Sequence, residues 1–169
     1  FADTLKKSTA NTLKQAKELN VAVTIITGDS VRVAEAIGRE TELVTDAEQV
    51  IEATHFFNLP VEEQHARIAN IRVFARTTPE QKLSLITLLK ERYTVGFLGE
   101  GINDAAALKA ANVSLVVKSA SDVARETADI VLLKSDLRVI IDGIYLGRET
   151  HSNTLKYIRA TLVSNFGNF

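Results

Sequence analysis

TVGFLGEGINDAAAL, residues 94–108, is a short apolar run that breaks at Gly99 and Gly101, passes Asn103 and Asp104, and opens into an alanine-rich stretch. That pattern predicts a strand running into a tight turn and then a helix. A junction of this kind aims backbone N–H groups at whatever lies over it and so favours a phosphate. This one also carries two carboxylates, Glu100 and Asp104. They would repel a phosphate unless a cation lay between, so the stretch reads as a Mg²⁺-dependent phosphate site. A dinucleotide fingerprint needs Gly-x-Gly-x-x-Gly or Ala. Here the third position is Asp104, whose carboxylate would block close helix–strand packing and face a pyrophosphate. Helix capping by Asn103 or Asp104 is the plainer alternative. It explains neither the two glycines nor Glu100, and it can coexist with metal binding.

Working outward, apolar residues alternate between strand-like and helix-like spacing. Ala10, Leu13, Ala16 and Leu19 predict a helix. Residues 21–27 (VAVTIIT) are a β-branched run and predict a buried strand. Val31, Ala34 and Ile37 predict a helix after a turn at Gly28, and residues 46–53 and 61–70 read as helical around Pro60. Residues 73–75 read as a short strand, and Pro79 suits the first turn of a helix that continues through 83–89. Beyond residues 94–98, the strand of the opening motif, the pattern predicts helix 104–110, strand 113–117, helix 121–128, strand 130–133 and helix from residue 137 almost to the end. Such alternation predicts an α/β fold with a parallel sheet and helices on both faces. Right-handed crossovers then gather the strand C-termini on one edge, where ligands bind.

The 169 residues suffice for one domain with a core, and 46% hydrophobic with 24% charged residues is ordinary for a globular protein. A formal net charge of −1 argues against a nucleic-acid surface. Cysteine is absent, which excludes disulfides and thiolate zinc sites, and His55, His65 and His151 lack ligand spacing. No apolar run is long enough for a membrane span, and no secretory signal is present. The chain contains no Met, even at position 1, so it is expected to be a piece of a longer product.

Two further loops fall on the expected sheet edge. Thr27-Gly28-Asp29 offers a hydroxyl, a flexible backbone and a carboxylate suited to an oxyanion, although Asp29 or Ser30 could instead cap the next helix. In ARTTPEQK (75–82), Lys82 stands in the first turn of its helix, where a cation opposes the dipole. That placement invites a functional reason such as neutralising a phosphoryl group, the bland reading being a solvated lysine.

Together these loops resemble the haloacid dehalogenase-type phosphotransferase superfamily. TGDS (27–30), FARTTPEQK (74–82), GEGINDAAAL (99–108) and ADIVLL (128–133) look like motifs of P-type ATPases. The opening FADTLKKSTANTLKQAKEL resembles the segment returning from the nucleotide domain, and residues 147–169 the stalk leading to a transmembrane helix. Asn165-Phe166-Gly167-Asn168 is most similar to the magnesium-transporting branch.

The resemblance implies a three-layer, mostly parallel Rossmann-like sheet lacking its first strand. It also implies residues 1–148 as the C-terminal part of a phosphorylation domain, and 149–169 as a stalk helix. Thr27, Gly28 and Asp29 would contact the phosphoryl group, and Lys82 would neutralise it. Arg76 and Asn103 would serve nucleotide phosphates, Glu100 would ligate Mg²⁺, and Asp104 would support that metal site. ATP and Mg²⁺ are the implied cofactors. The implied partners are the nucleotide-binding and transmembrane parts of the same polypeptide, on the cytoplasmic side of a plasma or inner membrane. The family has Asp where this chain has Glu100, and its DKTGT nucleophile motif is missing here, so the chain alone is expected not to turn over ATP. A soluble phosphatase remnant and a non-catalytic phosphate- or nucleotide-binding module are the alternatives.

Overall fold

A computed structural model describes residues 8–134 and 136–166. In chain order the elements are α1 (Ser8–Glu18), β1 (Ile25–Ile26), α2 (Val31–Glu40), β2 (Val50–Glu52), α3 (Ala53–Phe57), α4 (Val61–Arg67), β3 (Val73–Ala75), α5 (Pro79–Lys90), β4 (Gly96–Gly99), α6 (Ala105–Ala110), β5 (Val113–Val117), α7 (Asp122–Thr127), β6 (Ile130–Leu132) and α8 (Arg138–Phe166). The chain divides into two compact units, Phe1–Val21 with Asp136–Phe169, and Ala22–Ser135.

The larger unit is α/β and wholly parallel, as expected. Its strands form two three-stranded sheets, ordered β1-β3-β2 and β4-β5-β6. Among the described residues, β1 and β4 each carry a ladder on one side only. Central β3 is buried at every position and shows the two-residue period of a strand. Phe74 points into a cluster with Phe56, Ile68, Ile71 and Leu85. Val73 and Ala75 point the other way, onto Ala34 and Val44. A third cluster, of Ile86, Phe97, Leu108, Val116 and Ala124 among others, belongs to the second sheet. Helix α5 sends Leu85 to one sheet's core and Ile86 to the other's, and Ile26 packs against both.

Three sequence expectations are corrected. Residues 46–53 are not a helix. Asp46 and Gln49 close a reciprocal cap around one 3-10 turn (Ala47–Gln49), and the chain then enters β2. The helix-like signal came from that cap. Val50 and Ile51 pair with Val73 and Phe74, so tertiary pairing decides the local structure. The run at 21–27 contributes only Ile25–Ile26 to a ladder, because its sole partner is the short β3. Residues 68–70 of the expected helix 61–70 lie beyond α4, which ends at Arg67.

Asp129 of ADIVLL has a structural task. Its carboxylate accepts from the Ser114 backbone N–H at 2.8 Å and the Ser114 hydroxyl at 2.7 Å, tying β6 to β5. Those hydrogen bonds, the backbone one foremost, hold its pKa below the ordinary aspartate value.

In the smaller unit α1 and α8 pack together, and the Arg148 guanidinium donates to the Leu19 carbonyl at 2.6 Å. Leu155, Ile158 and Leu162 of α8 are exposed. Among the described residues no helix is long and apolar enough to cross a membrane. Residues 1–7 and 167–169, part of the terminal motifs, lie outside the described residues.

Candidate phosphate site

Each chemical motif directly follows a parallel strand. Thr27-Gly28-Asp29 follows β1, Arg76 follows β3, and Glu100 to Asp104 follow β4. Parallel pairing of β1 with β3 puts the first two loops at the same sheet end, and hydrogen bonds join them. The Arg76 N–H donates to the Asp29 carbonyl at 2.9 Å, and the Thr77 N–H to the Thr27 carbonyl at 3.0 Å. The Thr77 hydroxyl, 7% exposed as a residue, donates to the Thr27 carbonyl at 2.8 Å and to the Phe74 carbonyl at 3.2 Å.

Within the first loop the Thr27 hydroxyl donates to the Asp29 carboxylate at 2.8 Å and accepts from the Asp29 N–H at 3.1 Å. Asp29 is exposed, and neither it nor Ser30 caps α2 through its side chain. The capping alternative is thus not realised, and the carboxylate is held over the loop.

Helix α5 begins with a reciprocal cap. The Thr78 hydroxyl accepts from the Gln81 N–H at 3.3 Å, the Gln81 side chain accepts from the Thr78 N–H at 3.0 Å, and Pro79 occupies the first turn. This fixes Lys82 in its unfavourable position near the helix start, and its partner supplies the compensation. Lys82 Nζ lies 2.7 Å from Asp104 Oδ1, with the two side chains only 17% and 14% exposed. Asp104 Oδ2 accepts from the backbone N–H groups of Glu100 (3.2 Å) and Gly101 (3.3 Å). Burial pushes the Asp104 pKa up, but the Lys82 ion pair and those backbone donors outweigh it and leave it lowered.

Gly99 is required here. A Cβ on it would lie 2.9 Å from Asp104 Cβ and 3.2 Å from a Phe97 ring atom, so a side chain would lift Asp104 off its donors. Gly28 has no such constraint, since a Cβ there would make ordinary contact with the Thr77 carbonyl.

Glu100 and Asn103 are exposed. Glu100 is fixed through its backbone, with N–H on Asp104 and carbonyl accepting from the Ser121 N–H at 3.1 Å. No group of at least three acidic, His or Cys side chains able to hold a metal occurs among the described residues. The donor set suits Mg²⁺ in a limited way. The cation commonly takes one or two carboxylates and fills its octahedron with phosphate oxygens and water. Glu100 offers a free carboxylate, whereas both Asp104 oxygens are already engaged, which makes Asp104 the loop's anchor.

Sequence reasoning missed Thr77. Its only trace is a hydroxyl between a buried strand and Pro79, and the hydroxyl's target lies fifty residues away in sequence. Arg76 adds backbone strain, with φ of 52° in the left-handed region. Replacing Arg76 by Gly is expected to stabilise the fold by about 0.5–1 kcal/mol in urea unfolding. Relief of strain then exceeds glycine's extra unfolded-state entropy. The exposed guanidinium contributes no packing that would offset this.

A haloacid dehalogenase-like hydrolase family model matches residues 1–112. The chain is 46% identical over 169 residues to the magnesium-transporting ATPase, P-type 1, of Salmonella typhimurium, covering 99% of this chain and 18% of that protein. To the protein of the same name from Escherichia coli it is 44% identical, covering 99% of this chain and 19% of that protein. The chain thus spans less than a fifth of the length of these relatives. A solved crystal structure of a zinc-transporting PIB-type ATPase superposes with a TM-score of 0.72 at 31% identity, over 92% of this chain and 21% of that one. With a family model matching residues 1–112, more than half of the chain, the chain belongs to the haloacid dehalogenase-like hydrolases.

Proposed function

We propose that this chain is the phosphate-handling part of the phosphorylation domain of a magnesium-type P-type ATPase. The whole polypeptide would hydrolyse ATP through an aspartyl-phosphate and move a cation across a membrane, with this part on the cytoplasmic side. The observation that carries the reading is the Lys82–Asp104 pair at 2.7 Å, which locks a lysine beside the glycine loop carrying Glu100. Likeness to magnesium-transporting ATPases over 99% of the chain supports it, including the α8 region that a soluble phosphatase has no reason to keep.

The residues divide the work. The Thr27 hydroxyl, turned from Asp29, donates to a phosphoryl oxygen, and the Gly28 and Asp29 backbone closes over it. Lys82 adds positive charge beside the transferring group while Asp104 keeps it in place. Arg76 and Asn103, both exposed, reach toward nucleotide phosphates. Mg²⁺ on Glu100, when bound, would supply further charge neutralisation. Such chemistry depends on positioning and charge stabilisation more than on covalent work by the protein. The nucleophile would come from a preceding strand outside this chain, paired to the free side of β1 or β4.

Calorimetric titration with Mg²⁺ and beryllium fluoride tests this, using the chain alone and then with an added segment carrying an aspartate nucleophile strand. Little or no binding alone and clear binding after complementation is the expected result. Equal binding in both arms would overturn the missing-nucleophile account.

A further inference from the structure

We propose that Thr77 is a positioning residue for phosphoryl transfer, its buried hydroxyl fixing the Thr27 carbonyl and thereby aiming the Thr27 hydroxyl at the phosphoryl group. The inference rests on the proposed role of Thr27 as a hydrogen-bond donor to that group. Strand β1 is two residues long and, among the described residues, carries a ladder on one side only, which is too little to orient the loop after it. Residues 74–77 orient that loop instead. The Thr27 N–H donates to the Phe74 carbonyl at 2.9 Å. The Thr27 carbonyl accepts from the Thr77 N–H at 3.0 Å and from the Thr77 hydroxyl at 2.8 Å. The Arg76 N–H holds the Asp29 carbonyl at 2.9 Å.

Neither carbonyl needs the hydroxyl for its own satisfaction, because each already has a backbone donor, the Thr77 N–H for Thr27 and the Thr27 N–H for Phe74. A hydroxyl has one proton to give. Its distances of 2.8 Å to the Thr27 carbonyl and 3.2 Å to the Phe74 carbonyl assign that proton to Thr27. Thr77 thus adds a further restraint to a residue already anchored through both its N–H and its carbonyl. The Thr27 side chain is left as the part that can turn. Its hydroxyl meets Asp29, two residues on in the same loop. A phosphoryl oxygen can replace that carboxylate as acceptor without moving the backbone. Such chemistry depends on geometry, and misplacement by about 1 Å can cost ~100-fold in rate.

The test follows phosphoenzyme formation from ATP in a full-length polypeptide carrying this chain, where the γ-phosphoryl passes to the aspartate of the preceding strand and ADP leaves. Thr77→Val keeps the side-chain shape and removes the hydroxyl. Its single-turnover rate should fall about tenfold, with the ATP concentration for half-maximal rate unchanged within about twofold. Thr77→Ser should hold the rate within about threefold of the unmodified protein. In a Thr27→Ala background, Thr77→Val should cost no further rate, because the group it acts through is gone. Thr77→Ala, which removes the same hydroxyl with less bulk, should show the same loss as Thr77→Val. Carbon-13 and nitrogen-15 NMR of the chain reports whether each variant is folded. The Thr27 carbonyl shift should move in Thr77→Val and stay in Thr77→Ser. A Thr77→Val rate within about twofold of the unmodified protein overturns the positioning role. So does an equal loss in Thr77→Ser, an additive loss in the Thr27→Ala background, or unfolding of both hydroxyl-free variants. Absence of any phosphoenzyme in the unmodified protein overturns the proposed function itself.

Discussion

Replacing Lys82 by Met is expected to destabilise the fold by about 2 kcal/mol at neutral pH, less than the ~3–5 kcal/mol of a fully buried broken pair because some solvent reaches both side chains. The Asp104 carboxylate would stay in its recess with two backbone donors and no cation. Its pKa should move up from its present lowered value, because burial, the largest single influence on it, would lose its strongest opponent. The pH dependence has a definite sign. A carboxylate with lowered folded pKa contributes stability above the ordinary aspartate range, and that contribution is lost as pH falls through the folded value. The gap between wild type and Lys82→Met should thus be widest near neutrality and narrow in acid. Urea unfolding at several pH values, with carboxyl carbon-13 NMR of Asp104, measures both quantities. A gap that widens in acid would contradict the assignment.

Phe74→Ala is expected to cost more, about 3–5 kcal/mol, as for other large-to-small changes at fully buried aromatics. Phe74 is completely buried and meets Phe56 edge-on with ring centroids 5.1 Å apart. Its carbonyl accepts from the Thr27 N–H at 2.9 Å and the Thr77 hydroxyl at 3.2 Å. A cavity beneath β3 therefore loosens the platform of two site loops together with the core. Denaturant unfolding followed by circular dichroism should show a lower midpoint with unchanged slope. In the chain complemented with a nucleophile-bearing segment, phosphate-induced shifts of the Thr27 and Asp29 amides should weaken in parallel.

The sequence revealed most where local signals and tertiary demands agree. Residues 73–75 and 113–117 are apolar and β-branched enough to read as strands, and both spans match the structure. Pro79 marked the start of α5 for the same reason. The chain was misleading at 46–53, where Asp46 and Gln49 imitate a helix start although Val50 and Ile51 are needed beside β3. Lys82 stands out as misplaced on its helix, which suggests a phosphoryl partner; the structure gives it Asp104, twenty-two residues on. Thr77 was illegible because a buried hydroxyl that braces a distant carbonyl leaves no periodicity. The resemblance implies Glu100 as the Mg²⁺ ligand and Asp104 as its support. Only coordinates show that both Asp104 oxygens are engaged and that Glu100 is held by its backbone alone.

The neighbouring side chains Leu85 and Ile86 give α5 a mechanical role in unfolding. Among the described residues no ladder joins the two strand triplets, and α5 and Ile26 pack against the cores of both. Fraying α5 from its capped start would split a single melting transition into two. Amides of β3 and β5 would then exchange with deuterium at independent rates.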